Sequence, residues 1–234
     1  MLIMNDNKSA RPRVIESLEG VSGDLILFSR ETPDGPRYEI TIGGHFVMAA
    51  SDGPTERRLA SAGLELLDKD ADITVLVGGL GLGLTLAETL KDLRVGKVVV
   101  AEIEQAVVRW NRTYLKEFSA RSLFDDRVTV SEGDVLEIIE RHRRAFDAVL
   151  MDVDNGPSFL ILERNEPLYT RRGMKKIRRS LTDGGVLAVW SNQPDALLEA
   201  VMQEVFGNVA KELIVDENLR EDLPPTAVYT ARKC

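Results

Sequence analysis

The chain has 234 residues, of which 44% are hydrophobic, 29% charged and 6% aromatic. That suffices for one sizeable α/β domain and a small appendage, and it excludes a disordered chain. The 30 Lys and Arg against 38 Asp and Glu leave a net charge of −8, the wrong sign for gripping a phosphate backbone, so a nucleic-acid partner is not expected.

Cys234 is the single cysteine, and the two histidines, His45 and His142, lie far apart. Neither a disulfide framework nor a metal site is expected, and a reducing compartment fits. The first residues lack the apolar core of a signal peptide, and the longest apolar stretch, Ile73 to Ala87, is too short and too glycine-rich to span a bilayer. We therefore expect a cytoplasmic protein with no membrane partner.

In chain order, Asp24–Ser29, Arg37–Ile42 and His45–Ala50 are short apolar or alternating runs. They are separated by Pro33-Asp34-Gly35-Pro36 and by Gly43-Gly44. This predicts a three-stranded β-meander, too small to fold alone, as an appendage over residues 1–53. From Pro54 the period becomes helical, with Leu59, Ala62, Gly63, Leu66 and Leu67 on one side. Strands are then predicted at 73–77, 97–101, 127–130, 146–151 and 186–190. They alternate with helices at 84–93, 105–118, 135–143, 168–181 and 195–205. Aliphatic runs, each followed by an amphipathic helix, imply a parallel sheet covered on both faces, over residues 54–234. Val209–Val215 and Ala227–Ala231 have no helix between them and should pair antiparallel at one edge.

In such a sheet, ligands sit beyond the carboxyl ends of the strands. The first end carries Gly78-Gly79-Leu80-Gly81-Leu82-Gly83. Its spacing matches neither a dinucleotide fingerprint nor a P-loop. The second ends in Glu102, 19 positions after Gly83, where an acid can accept both ribose hydroxyls of a nucleoside; the plainer alternative is a solvated carboxylate. Asp134 opens a helix, as an N-cap or beside a bound base. The fourth strand runs into Asp152-Val153-Asp154-Asn155-Gly156-Pro157, where two carboxylates and an amide share a helix-free loop.

These blocks, with Glu102-Ile103-Glu104-Gln105-Ala106-Val107-Val108, Asp126-Arg127-Val128-Thr129-Val130, Phe146-Asp147-Ala148-Val149 and Leu168-Tyr169, resemble the spermidine synthases. That polyamine aminopropyltransferase family lies within the class I S-adenosylmethionine-dependent methyltransferase-fold superfamily. The resemblance runs from about Asp24 to the end of the chain. It implies a Rossmann-like fold: a seven-stranded, mostly parallel sheet with an antiparallel C-terminal edge strand, and a small N-terminal β-meander. It also implies S-adenosylmethionine or its decarboxylated form as co-substrate, a small amine as acceptor, and a homodimer through the N-terminal strands. Gly79, Leu80, Gly81 and Gly83 would line the donor chain, Glu102 and Ile103 would hold the ribose, and Asp134 and Val135 would flank adenine. Asp152 would stand between donor sulfonium and acceptor amine, with Asp154 and Tyr169 as catalytic helpers; Tyr169 can equally be a packing residue. Glu56, Asp154 and Asn155 would hold the acceptor.

Three departures mark this chain. The family's glycine loop has an Asp where Gly81 stands, its acidic loop is longer by about two residues, and Arg57, Arg58 and Leu59 replace the Tyr and His expected beside Glu56. They bear on acceptor recognition more than on nucleoside binding. The first reading is thus aminopropyl transfer to a small amine. Methyl transfer from S-adenosylmethionine is the runner-up. A third reading is a non-catalytic nucleoside-binding protein that docks a partner through the basic run Arg171 to Arg179, which otherwise is a solvated helix face. Trp190 either walls the substrate pocket or packs.

Overall fold

The structure is a computed structural model and describes residues 11–33, 35–50, 53–153, 156–160, 162–215 and 224–234. Strands β1 (Arg13–Gly20), β2 (Gly23–Thr32), β3 (Gly35–Ile42) and β4 (His45–Ala50) form an antiparallel sheet in that order. The expected meander gains one strand, β1. Its pairing with β2 shifts register between Val14 and Glu16, so Ile15 and Leu18, three positions apart, both pack on the core. A bulge of this kind erases the period of two by which a strand is read from sequence. Leu25, Leu27, Ile40 and Ile42 point inward and share one apolar cluster with Leu59, Val75 and Val77. The small sheet therefore completes its core against the larger one.

The second sheet contains β5 (Ile73–Gly78), β6 (Val95–Glu102), β7 (Val128–Glu132), β8 (Phe146–Met151), β9 (Leu181–Ser191), β10 (Ala210–Ile214) and β11 (Thr226–Arg232). Its order is β10-β11-β9-β8-β5-β6-β7. Strands β5 to β9 run parallel, β11 is antiparallel to β9, and β10 is antiparallel to β11. This is the mostly parallel sheet with an antiparallel C-terminal edge pair that the sequence implies.

Alternate residues of the central strands enter two different cores. Val75, Val77, Ala148, Leu150, Val186 and Ala188 face helices α1 (Pro54–Glu65), α2 (Leu84–Thr89) and α3 (Gln105–Arg112). Leu76, Val149, Met151, Leu187 and Val189 face α4 (Val135–Arg141) and, beyond the short α5 (Glu166–Tyr169), α6 (Arg171–Ser180) and α7 (Ala196–Phe206).

Several helices are shorter than their apolar periodicity predicts. After Arg112 the chain leaves the helix at Thr113 (φ −121°, ψ −86°), whose hydroxyl donates back to Arg109 O at 2.8 Å, a local bond that competes with the helix. The single helix expected over 168–181 is two helices. Thr170 is extended and caps α6 by accepting from Gly173 N at 3.1 Å. Gly173 sits so close to the preceding turn that a Cβ would lie 2.0 Å from Pro167 O. The basic side chains of α6 are partly engaged on its outer face: Arg171 pairs with Glu204, Lys176 with Glu140, and Arg178 donates to Cys234 O.

The corner between α5 and α6 thus tolerates no side chain at residue 173. We expect Gly173→Ala to destabilise the fold by on the order of 3 kcal/mol through forced displacement of backbone. Urea unfolding of the two proteins measures this, and an unchanged midpoint would contradict the packing described.

Candidate active site at the carboxyl ends of β5, β6 and β8

From β5 the chain passes to β6 and β7 on one side and later returns to β8 on the other, so a crevice opens at the carboxyl end of β5. Two backbone bonds define its floor: Asp152 N donates to Gly78 O at 2.8 Å, and Gly79 N to Ala101 O at 2.9 Å. Gly79 has φ +85°, and a Cβ there would lie 2.1 Å from Asp152 O. Only glycine lets the loop after β5 meet the segment after β8 this closely. The loop is tied further by Gly83 N donating to Leu80 O at 2.7 Å and Asn111 Nδ2 donating to Gly81 O at 2.8 Å.

On the β6 side stands Glu102, 8% exposed. Its carboxylate accepts from Leu80 N and from Glu104 N, both at 2.8 Å. Burial raises its pKa, with the Glu104 charge adding to this and the backbone donors opposing it. Each oxygen receives one of these two bonds, and the backbone N–H of Ile103 also acts on the carboxylate. Ile103 beside it is partly exposed. Asp134 is the N-cap of α4, accepting from Leu136 N at 2.8 Å. Val135 is buried, and its side chain lies 3.0 Å from where a Cβ on Gly78 would be. Val135, Met151 and Val153 thus all pack closely against Gly78.

On the β8 side, Asp152 follows Leu150 on the α1 face. Its Oδ2 accepts from Thr85 Oγ1 at 2.7 Å. Burial, then the charge of Glu56, push its pKa up to about 7, against the pull of the Thr85 bond. Glu56 itself is 8% exposed in α1 and accepts from Thr55 Oγ1 at 2.8 Å. Trp190 on β9 lies one step past the register pair Met151–Val189 and packs against the α1-side core; among the described residues its indole N–H has no hydrogen-bond partner. The loop after β8 is tied to the end of β9, where Ser158 donates to Asp195, the N-cap of α7.

The glycine loop, Glu102, Val135, Asp152 and Glu56 therefore converge on one crevice. Tyr169 is buried with Leu168 and Met174 in the cluster that also holds Val135 and Met151. Asp154 and Asn155 lie outside the described residues. The sequence reading passed over Thr85, although a hydroxyl in the first turn after a glycine loop, within an otherwise apolar stretch, is a readable signal. Among the described residues no cluster of three His, Cys, Asp or Glu could hold a metal ion. No helix there is long and apolar enough to cross a membrane.

The family model described as spermine/spermidine synthase domain matches residues 56–214. A polyamine aminopropyltransferase of Thermoanaerobacter sp. (strain X514) is 29% identical over 160 residues, covering 68% of this chain and 51% of the relative. One from Prochlorococcus marinus subsp. pastoris is 26% identical over 175 residues, covering 74% and 59%. The chain thus spans about half the length of these relatives. In fold it resembles a spermidine synthase solved in complex with the transition-state analogue AdoDATO (TM-score 0.80, 22% identity, 95% of this chain and 74% of that one). It also resembles the spermidine synthase from Thermotoga maritima (TM-score 0.77, 21% identity, 95% and 73%).

The geometry around Asp152 makes two shifts of opposite sign testable. Glu56→Gln removes a like charge and should lower the Asp152 midpoint below about 7. Thr85→Val removes a donor to the carboxylate and should raise it. Carboxyl-carbon NMR titration reads both, and a midpoint that moves in neither variant would dissolve the cluster.

Proposed function

Since this chain belongs to the spermine/spermidine synthase family, we propose that it moves an aminopropyl group from decarboxylated S-adenosylmethionine to a small amine. The observation that carries this reading is Asp152, a carboxyl with its pKa near 7, held by Thr85 and facing Glu56 at the mouth of a glycine-lined crevice. A carboxyl poised near neutrality can both attract an ammonium and accept a proton.

The residues fit a nucleoside donor. Gly78 and Val135 would offer an apolar contact to a base, and the Glu102 carboxylate would accept from ribose hydroxyls. Asp134 stands at the adenine edge with Ile103 nearby. Gly79, Leu80, Gly81 and Gly83 line the path of the aliphatic chain toward Asp152. The donor supplies a carbon already activated by its sulfonium. The acceptor nitrogen bonds to that carbon as its bond to sulfur breaks, the electron pair stays on sulfur, and the proton lost from nitrogen passes to Asp152. In-line placement supplies most of the acceleration, so neither a covalent nucleophile nor a metal is needed. Glu56 and Asp152 form the anionic end that draws the amine, with Asp154 and Asn155 assigned to the same task. In this reading the enzyme works in the cytoplasm on diffusible amines and pairs with a second copy through the N-terminal sheet, whose β1 and β4 are edge strands.

One observation favours methyl transfer as a second reading. Gly81 leaves the donor chain without the carboxylate that the resemblance leads one to expect there, so less in the loop discriminates against the carboxylate of intact S-adenosylmethionine. Calorimetric titration with the two donors separates these readings. Aminopropyl transfer requires at least tenfold tighter binding of the decarboxylated form, and preference for intact S-adenosylmethionine would overturn it.

Asp152→Asn should lower kcat by about 10²–10⁴-fold, the usual worth of a positioned base, while donor affinity stays within a few-fold. In the wild type, kcat/KM should fall as pH drops below about 7, where Asp152 takes up its proton. Folding linkage has the opposite sense: the folded state holds this proton more tightly than the unfolded chain. Its contribution to stability therefore declines as pH rises from about 4 to about 7. Above that range Asp152→Asn should melt higher than the wild type, as calorimetric melting curves can check.

A further inference from the structure

Glu104 is 2% exposed, yet the backbone donors to its carboxylate lie far from it in sequence. Its Oε2 accepts from Val21 N at 3.0 Å and its Oε1 from Ser22 N at 2.7 Å, more than 80 positions away. These two residues form the turn between β1 and β2. The approach is close enough that a Cβ on Gly20 would lie 2.5 Å from Glu104 Oε2. Glu104 occupies the N-cap position of α3, but its side chain makes no cap bond there; it is spent on the hairpin. Its own backbone N–H donates to Glu102 Oε1. Five and six residues further on, Arg109 pairs with Glu16 of β1, and Trp110 Nε1 donates to the same carboxylate at 2.9 Å. One stretch, 102–110, therefore holds both the donor-side carboxylate and the N-terminal sheet.

We propose that Glu104 is a positioning residue that couples docking of the β1–β2 turn to binding of the nucleoside donor. The clamp rests on a simple constraint. A carboxylate cut off from water keeps its place only while its hydrogen-bond donors stay in place. If the turn leaves, Glu104 must seek water, and the N–H that orients Glu102 moves with it. If donor binding orders Glu102, the turn is held in return, because coupling between two sites is reciprocal. The inference rests on the reading of Glu102 as the ribose-binding carboxylate.

The test uses the full chain and 5′-methylthioadenosine, the nucleoside left after aminopropyl transfer. Amide hydrogen exchange at Val21 and Ser22 should slow by about fivefold or more when the nucleoside saturates the wild type, in the usual range of such couplings. Glu104→Gln, which loses one of the two acceptors, should weaken the nucleoside by a similar factor, with kcat and the KM for the amine unchanged. A residue that only supports the fold would move the melting temperature without these effects. Unchanged exchange at Val21 and Ser22 in the wild type would overturn the proposal, even if the variant failed to fold. Weakened binding in Glu102→Ala with wild-type binding in Glu104→Gln would overturn the coupling alone. Wild-type binding in Glu102→Ala would remove the ribose assignment and the coupling with it.

Discussion

Two backbone segments that never meet in sequence touch at the centre of this protein. Asp152 N–H bonds to Gly78 O, and Gly79 leaves no room for even one carbon between its Cα and the Asp152 carbonyl. This seam joins β5 to β8 beyond their last paired residues and sets where every neighbouring group points. It turns the Asp152 side chain toward Thr85 of α2 and Glu56 of α1. It opens the glycine loop toward Glu102 on the other side. A side chain at residue 79 would part the two strand ends and separate the glycine loop from Asp152.

Around the seam the protein holds carboxylates where water is scarce, and it treats them in two ways. Glu102 and Glu104 each receive at least two backbone N–H donors, a fixed supply that offsets part of the lost hydration, although burial still raises the Glu102 pKa. Asp152 receives one hydroxyl and faces another acid, so its charge is left under-supported and its proton affinity rises. Well-supplied carboxylates hold geometry, whereas an under-supplied one is available for chemistry. The contrast with Asp147 at the far end of β8 is instructive. Despite burial, bonds from Lys69, Thr74 N and Thr182 hold that carboxyl below its ordinary range, and it pins the sheet.

Much of this could be read from the sequence because parallel strands buried on both faces leave uninterrupted aliphatic runs. The run Phe146–Met151 reads as the strand that forms, residue for residue. The strand-end residues were legible for a related reason: in this topology, function collects where the runs stop. What escaped depended on contacts across the chain or on local exceptions to period. The bulge in β1 hid a strand, and the Thr170 cap split an apparently continuous helix. Thr85 and Glu104 are ordinary residues until the fold brings Asp152 and the Val21–Ser22 turn to them.

Strand β11 lies between β9 and β10, although β10 precedes it in the chain. It is buried at every position but its last, whereas β10 is largely exposed. During synthesis, β10 therefore emerges with no partner to pair with and has to wait, unpaired, until β11 has been made and has slid in beside β9. Strand β9 gains its second neighbour only with that insertion. The order of assembly is thus not the order of translation: the outermost strand is made before its inner neighbour and docks after it, and a nascent chain halted between the two carries an open sheet edge beside the candidate site.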